Sequence, residues 1–196
     1  VPYEGERGIG VLLERIASSD GWERIREDGN TVALVKQGAS ITLEPGGQLE
    51  LSGAPLVTAA QTCSEFNRHV DLVKKESSDF GIDWLALGID PFHSVDDTPR
   101  MPKARYGIMR DYLPTRGTSG MLMMHSTATV QANYDYADES DMVAKMQMAL
   151  ACSPITSALF ANSPISEGRA NGYISKRVEI WRDVDPDRCG ILPFVF

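Results

Sequence analysis

The chain has 196 residues, 42% of them hydrophobic, and carries 27 Asp and Glu residues against 19 Lys and Arg residues, which gives a formal net charge of -8. This length and composition suffice for one substantial hydrophobic core without disulfide or metal cross-links, so a single domain is expected. The acidic excess argues against nucleic acid or an anionic membrane as a partner, because both attract a basic surface. Since no apolar run reaches the roughly 20 residues of a membrane span and the first residues are too polar for a secretory signal, we expect a soluble, cytoplasmic protein.

The first quarter of the sequence predicts a helix followed by antiparallel strands. Apolar residues recur at the i, i+3, i+4 and i+7 spacing of one helix face at Ile9, Leu12, Leu13 and Ile16. Two hairpins follow. Residues 21–27 and 31–37 flank an Asp-Gly turn, and residues 39–44 and 48–52 flank a Pro-Gly-Gly turn.

The middle of the sequence predicts a long helix, a buried strand and a loop. Residues 58–77 carry apolar side chains at helical spacing, and residues 84–89 form the short apolar run of a buried strand. Residues 90–102 contain three prolines and two adjacent aspartates, and irregular loops of that length are often functional. A short helix is expected at residues 105–112.

The last third predicts a polar strand and another helix. Residues 121–136 alternate in character, which predicts a strand whose polar face comprises Thr127, Thr129, Gln131, Asn133 and Asp135. A helix is expected from Asp138 to about Ala151, with more helix past Pro154, because acidic residues occupy its first turn. Strands and helices mix without a regular βαβ rhythm. We therefore predict an α+β fold, an antiparallel sheet with flanking helices.

The three cysteines favour neither a redox pair nor a zinc site. Cys63, Cys152 and Cys189 lie far apart and have no metal-binding spacing. We expect Cys63 and Cys152 to be small buried residues on helices, and Cys189 to lie in a loop.

The second hairpin carries two carboxylates on one predicted face. If Thr42 pairs with Glu50, strand alternation places Glu44 and Glu50 on the same face as diagonal neighbours, about 7 to 8 Å apart at the backbone. Like charges this close are costly unless a cation lies between them, and magnesium, which prefers carboxylate oxygens and bridges to phosphates, suits that position. A solvent-facing strand whose acids point into water explains the same pattern equally well.

Three further groups of residues are candidates for binding. A basic and aromatic cluster could attract a carboxylate or phosphate, although surface charge explains it more simply; it comprises Lys103, Arg105, Tyr106, Arg110, Tyr112 and Arg116. The polar strand face fits either a cavity lining or an exposed sheet. Arg177 and Trp181, at i and i+4 of a predicted helix, fit capture of a substrate carboxylate or a cation-π packing pair.

Several segments, in order along the chain, resemble the plant and proteobacterial type of glutamate-cysteine ligase. The hairpin segment SITLEPGGQLELSGAP is the most specific of them. The matching segments are residues 40–55, 101–106, 108–114, 129–133, 159–164 and 185–188 through 192–196. The sequence departs from the family pattern at residues 90–100 and at His125, where an Arg is usual.

The resemblance implies a glutamine-synthetase-like catalytic fold that binds ATP, Mg2+ and glutamate. ATP would phosphorylate the glutamate γ-carboxylate, and the cysteine amine would displace the phosphate. Glu44 and Glu50 match the metal-binding acids of the family. The resemblance assigns catalytic roles to Arg105, Arg110 and Arg177, and substrate binding to Thr129, Gln131, Asn133 and Trp181. The substrates glutamate, cysteine and ATP are the expected partners, and the expected location is the cytoplasm, or the plastid if the source is a plant.

The sequence also predicts that residues 1–196 are a single catalytic-domain fragment of a longer ligase. The chain opens on Val-Pro and ends on an apolar string, whereas exposed termini are usually polar. Family members are longer, and an acidic strand of Glu-His-Glu type precedes the matching region. Two alternatives stay open: a related carboxylate-amine ligase with another amine acceptor, and a non-catalytic amino-acid-binding module.

Overall fold

The computed structural model describes residues 1–192; the last matching segment, residues 192–196, lies outside them except for Leu192. The described chain forms two compact units. Unit 1 contains Val1–Leu85 and Thr98–Met109, and unit 2 contains Ala86–Asp97 and the chain from Arg110 onward. Both mix helix and strand, and the α+β class is confirmed. Within residues 1–192, no helix combines the length and apolar character needed to cross a bilayer.

Unit 1 is built on one helix and a four-stranded antiparallel sheet of order β1-β2-β3-β4. Its elements are α1 (Ile9–Asp20), β1 (Glu23–Glu27), β2 (Asn30–Lys36), β3 (Ala39–Glu44), β4 (Gln48–Ser52), α2 (Ala59–Glu76) and the first part of α3 (Ala104–Tyr112). The predicted helix and both hairpins are confirmed. Gly21 ends α1 in the left-handed conformation, at φ 68°, and its N–H bonds the Ala17 carbonyl, as glycine often does after a helix.

The core of unit 1 lies between α1 and one face of the sheet. The α1 residues predicted to form its apolar face are all 0% exposed. They pack toward β2, and the sheet contributes Leu34, Ile41 and Leu43, which are also 0% exposed. Burying side chains of this size contributes about 1.5–3 kcal/mol each. This packing therefore fixes which face of each strand points inward.

A polar cluster ties the outer edge of α1 to the sheet. The Glu14 carboxylate accepts hydrogen bonds from Thr31 Oγ1 at 2.5 Å, Arg24 Nε at 2.6 Å and Arg26 Nη2 at 3.2 Å. These bonds, with that from Thr31 the strongest, lower the pKa of Glu14 to about 2. Folding thus favours the charged carboxylate.

Helix α2 begins as predicted, but its apolar face is mostly exposed. Thr58 caps it and forms a reciprocal capping box with Gln61. Its last turn contains Val73, which is buried where α2 approaches α1. Nearer its start, the Glu65 carboxylate accepts a hydrogen bond from the Ala54 N–H at 3.0 Å. Cys63, nearer its start, is exposed, so the prediction of a buried thiol there is wrong. Helical spacing alone does not say how far along a helix the neighbouring core extends.

Unit 2 contains four helices, or parts of them, and one two-stranded ribbon. These are the end of α3, α4 (Gly120–Ser126), α5 (Glu139–Leu159), β5 (Ile165–Ser166), β6 (Arg169–Ala170) and α6 (Lys176–Trp181). Helix α4 packs against α6, and Met124, Ile180 and Val184 are buried.

The predicted strand at residues 121–136 is wrong. Residues 120–126 form α4, and the Thr127 hydroxyl bonds back to the Met123 carbonyl at its end. Residues 127–136 belong to no helix or strand ladder and form one bridge, between Thr127 and Ile89. Residues 84–89, which were predicted to form a buried strand, are not a strand either. Within residues 1–192, their only strand pairing is this bridge at Ile89. Polar and apolar side chains can alternate along a segment that has no neighbouring strand, and without such a neighbour no sheet forms.

Helix α5 confirms the predicted start at Asp138 and the continuation past Pro154. Asp138 accepts a hydrogen bond from the Asp141 N–H, and the helix runs to Leu159. None of its residues, all within the described chain, is buried, and Cys152 is exposed. The prediction of a buried Cys152 is therefore also wrong.

The core packing predicts a large penalty for truncating the sheet. We expect Ile41→Ala to lower the free energy of unfolding by about 2–5 kcal/mol, because it leaves a cavity in the core of unit 1. Val57→Ala, at a side chain that is 92% exposed, should change it by less than about 0.5 kcal/mol. Urea unfolding of the full-length protein, followed by circular dichroism, measures both. Equal midpoints in the two variants would contradict this packing.

The Glu14 cluster predicts a pH-dependent stability. The folded pKa of Glu14, about 2, lies below the ordinary value of 4.5, so its contribution to stability is complete above pH 4.5 and is lost as pH falls toward 2. Glu14→Gln should lower unfolding free energy by about 1 kcal/mol at pH 7, because the cluster is partly exposed and screened. This difference from the unsubstituted protein should shrink below pH 4.5 in urea titrations. A difference independent of pH would exclude the carboxylate charge as its cause.

Candidate functional site

The β3–β4 hairpin forms the carboxylate face that the sequence predicts. Thr42 pairs with Glu50 and Glu44 with Gln48, so Glu44 and Glu50 are diagonal neighbours on one face. The opposite face carries Ile41 and Leu43, which are buried. A tight turn over Pro45–Gly47 joins the strands, with Gly46 at φ 74°, a conformation that glycine adopts readily.

The two carboxylates have different surroundings. Glu44 Oε1 accepts a hydrogen bond from Thr42 Oγ1 at 3.0 Å, and Lys103 Nζ lies 3.7 Å from the same oxygen. Tyr106 Oη is 3.3 Å from Glu44 Oε2. Glu50 is exposed, and its Oε1 accepts a hydrogen bond from Ser52 Oγ at 3.1 Å. Glu44 is therefore held in place, whereas Glu50 is open to solvent.

Lys103 and Tyr106 reach this face from the segment around the start of α3. Both donate to the Leu43 carbonyl oxygen, from Lys103 Nζ at 2.8 Å and from Tyr106 Oη at 2.7 Å. Tyr106 is only 1% exposed. Burial, together with the nearby charge of Glu44, raises the pKa of Tyr106, so the phenol stays protonated and remains a donor.

The hairpin fits a magnesium ion as a partial site. Magnesium in nucleotide-binding sites takes one or two protein carboxylates and completes its shell with waters and phosphate oxygens. Glu44 and Glu50 supply that number. Within residues 1–192, no group of three or more His, Cys, Asp or Glu side chains is placed to hold a metal. Glu44 and Glu50 are thus the two residues of the hairpin that could hold such an ion.

Arg177 and Trp181 form the pair predicted from their spacing. The guanidinium carbon lies 5.3 Å from the Trp181 ring centroid on α6. Arg177 Nε is buried and has no hydrogen-bond partner within residues 1–192, and burial alone lowers the pKa of this arginine. A half-buried guanidinium with its charge unmatched in this part of the chain is a suitable place for an anion.

The loop before α6 sets the position of Arg177. Ser163, which is 1% exposed, accepts a hydrogen bond from the Arg177 N–H at 3.1 Å through its Oγ. The Ser163 N–H donates to the Ile174 carbonyl, and the Asn171 side chain donates to the Ser163 carbonyl at 3.1 Å. The start of α6 is therefore tied to a segment more than ten residues earlier.

The other predicted binding residues are exposed, except for Arg110, which is half-buried. Arg105 lies in unit 1 with its guanidinium carbon 5.8 Å from the Tyr106 ring centroid, and Arg110 belongs to unit 2. Thr129, Gln131 and Asn133 are exposed, and Gln131 Nε2 donates to Asn133 Oδ1 at 2.9 Å. The strand expected to carry them is not formed, so the pocket role of these three residues stays a prediction.

One charged cluster went unrecognised in the sequence. Asp185 is 3% exposed and accepts a hydrogen bond from Arg188 Nη1 at 2.7 Å, while Arg116 Nε lies 3.6 Å from it. Tyr112 Oη joins the cluster at 3.4 Å. Arg116 thus has a structural carboxylate partner. The i, i+3 spacing of Asp185 and Arg188 was the available signal.

The α+β fold thus carries two carboxylates on one hairpin face, which could hold a cation, and a half-buried arginine that could bind an anion. Comparison with known proteins gives the family. The sequence pattern of Glutamate-cysteine ligase family 2 (GCS2) matches residues 1–196, and the chain belongs to this family. The resemblance seen in the motifs is thereby confirmed.

Curated relatives agree with this assignment. The chloroplastic glutamate–cysteine ligases of Nicotiana tabacum and Arabidopsis thaliana are each 50% identical to the chain over 188 residues, which is 96% of this chain and 36% of each relative. Glutamate–cysteine ligase A, chloroplastic, of Oryza sativa subsp. japonica is 49% identical over 185 residues, or 94% of this chain and 38% of that protein. The chain spans little more than a third of the length of these relatives.

The contrast between Arg177 and Arg188 predicts different costs of substitution. Arg177→Met should change the free energy of unfolding by less than about 1 kcal/mol, because it removes a desolvated cation that has no acidic partner in residues 1–192. Arg188→Met should lower it by more than Arg177→Met does, because the buried Asp185 loses a charged donor. Urea unfolding of the full-length protein measures both. A larger loss for Arg177→Met than for Arg188→Met would show that Arg177 has a structural role.

Proposed function

We propose that this protein is a glutamate-cysteine ligase that uses ATP and Mg2+ and forms a γ-glutamyl phosphate intermediate. The observation that carries the proposal is the register of β3 and β4, which brings Glu44 and Glu50 to one face opposite the core. The names of the relatives support ligation of glutamate to cysteine. They also support the plastid as the location, in preference to the cytoplasm.

The proposed reaction has two steps. A γ-carboxylate oxygen of glutamate attacks the terminal phosphorus of ATP, and ADP leaves. The cysteine amine then attacks the activated acyl carbon, loses a proton and expels phosphate, so one amide forms for each ATP used. In this scheme Glu44 and Glu50 hold Mg2+, which offsets the negative charge of the transferred phosphoryl group.

The remaining predicted residues bind and orient the substrates. Arg177, backed by Trp181, is suited to a substrate carboxylate, because the guanidinium offers a planar fork and its charge is unmatched within residues 1–192. We assign Arg105 and Arg110 to stabilisation of phosphoryl charge, since both are cationic and lie on α3. Thr129, Gln131 and Asn133 offer hydroxyl and amide groups for the substrate amine or the nucleotide.

Substituting the carboxylates tests this function. We expect Glu44→Ala and Glu50→Ala to lower kcat/KM for cysteine-dependent phosphate release by about 100-fold or more, because charge on the transferred phosphoryl group loses its counter-ion. Glu23→Ala, at the opposite edge strand, is the matched control and should retain activity. The measurement is phosphate release from ATP by the full-length protein with glutamate and cysteine.

The same assay separates the alternatives. Equal turnover with another amine in place of cysteine would indicate a related carboxylate-amine ligase. Glutamate binding without phosphate release would indicate a non-catalytic module. Undiminished turnover in both Glu44→Ala and Glu50→Ala would remove the metal assignment.

A further inference from the structure

Two neutral hydroxyl groups lie at the Glu44 carboxylate, one near each oxygen, and Tyr106 shares its single hydroxyl proton between Glu44 and the nearer Leu43 carbonyl oxygen. The Lys103 ammonium group lies 3.7 Å from Glu44 Oε1. Thr42 Oγ1 lies 3.0 Å from Oε1, and Tyr106 Oη lies 3.3 Å from Oε2. A carboxylate has about four acceptor sites, so two such bonds leave sites for a cation while fixing the rotation of the group. Glu50, by contrast, has one recorded donor, Ser52, on its own exposed strand.

Tyr106 is itself firmly anchored. Its ring is buried at 1% exposure, and its hydroxyl also contacts the Leu43 carbonyl oxygen at 2.7 Å. The β2–β3 pairing ends at Ala33 and Thr42, one residue before Leu43. The Leu43 carbonyl thus lies just beyond that ladder, where Tyr106 and Lys103 satisfy both of its lone pairs.

Thr42 lies between the two carboxylates. It is two residues from Glu44 on β3 and directly opposite Glu50 on β4. Because Thr42, Glu44 and Glu50 share one face, the Thr42 hydroxyl orients Glu44 on the face that both carboxylates occupy.

We propose that the hydroxyls of Thr42 and Tyr106 are positioning groups that hold the Glu44 carboxylate in the orientation that binds the divalent cation. The inference rests on the proposed function, which makes Glu44 a metal ligand. Neither hydroxyl is a ligand in this scheme. Each acts through Glu44, as the partners of metal-binding carboxylates do in other proteins, where their loss costs about 10–100-fold in affinity or activity.

Two conservative substitutions separate positioning from folding. Tyr106→Phe keeps the ring, and Lys103 still donates to the Leu43 carbonyl, so the strand end retains a partner. Thr42→Val keeps the side-chain shape on a strand that favours β-branched residues. The control is Tyr3→Phe, which removes another phenol-to-carbonyl bond in unit 1, from Tyr3 Oη to the Thr31 carbonyl at 3.0 Å. Thr42→Ser retains the hydroxyl and serves as the rescue.

The experiment measures Mn2+ binding to the full-length protein without nucleotide, from the electron paramagnetic resonance signal of free Mn2+. Tyr106→Phe and Thr42→Val should each raise the Kd by about 10–100-fold, while Thr42→Ser and Tyr3→Phe stay within about twofold of the unsubstituted protein. The Mg2+ concentration for half-maximal phosphate release should rise in parallel. Thermal unfolding identifies any variant that has lost its fold. If either Tyr106→Phe or Thr42→Val is unfolded, the other variant tests the positioning role.

The possible failures are distinguishable. Unchanged Mn2+ affinity in both Tyr106→Phe and Thr42→Val, with affinity lost in Glu44→Ala, would overturn the positioning role and leave the proposed metal site intact. Unchanged affinity in Glu44→Ala and Glu50→Ala would overturn the metal site itself. A loss in one hydroxyl variant alone assigns the role to that residue and removes it from the other.

Discussion

The register of β3 against β4 is the constraint on which the candidate metal site depends. Side chains alternate along a strand, so a slip of one residue would turn Ile41 and Leu43 to solvent and bring Glu44 toward the core. Exposing two fully buried side chains would cost about 1.5–3 kcal/mol each, before the larger cost of burying a carboxylate. The apolar face under α1 therefore sets the position of the acids on the other face.

The β2–β3 ladder ends beside Glu44, and this leaves the Leu43 carbonyl to be paired by side chains. Beyond Thr42 the sheet no longer satisfies the Leu43 carbonyl from the β2 side, and buried backbone groups require a partner. Lys103 and Tyr106 provide it from about 60 residues away in the sequence. The side chains that complete the backbone bonding also surround Glu44. The end of the β2–β3 ladder thus links the pairing of the Leu43 carbonyl to the surroundings of the Glu44 carboxylate.

Features encoded by neighbouring residues could be predicted from the sequence. The face of α1, both hairpin turns, the Thr58 cap and the Glu44–Glu50 face follow from spacing and turn chemistry. Features that depend on distant segments could not. Tyr106 meets Glu44 across 62 residues, and the exposure of Cys63 depends on where the core beneath α2 stops. The alternation at residues 127–136 was correctly seen, but it describes side chains and not the presence of a pairing strand.

The number of carboxylates also bears on the kind of metal site. A structural metal is usually enclosed by protein ligands, whereas a magnesium ion that must reach a phosphate keeps several positions for water and substrate. The hairpin provides two acids, and residues 1–192 do not bring a third metal-binding side chain to them. One of the acids, Glu44, is restrained and the other, Glu50, is exposed. In the proposed scheme, a restrained Glu44 and a solvent-exposed Glu50 would hold an ion that still has positions for the phosphate as it moves from nucleotide to substrate.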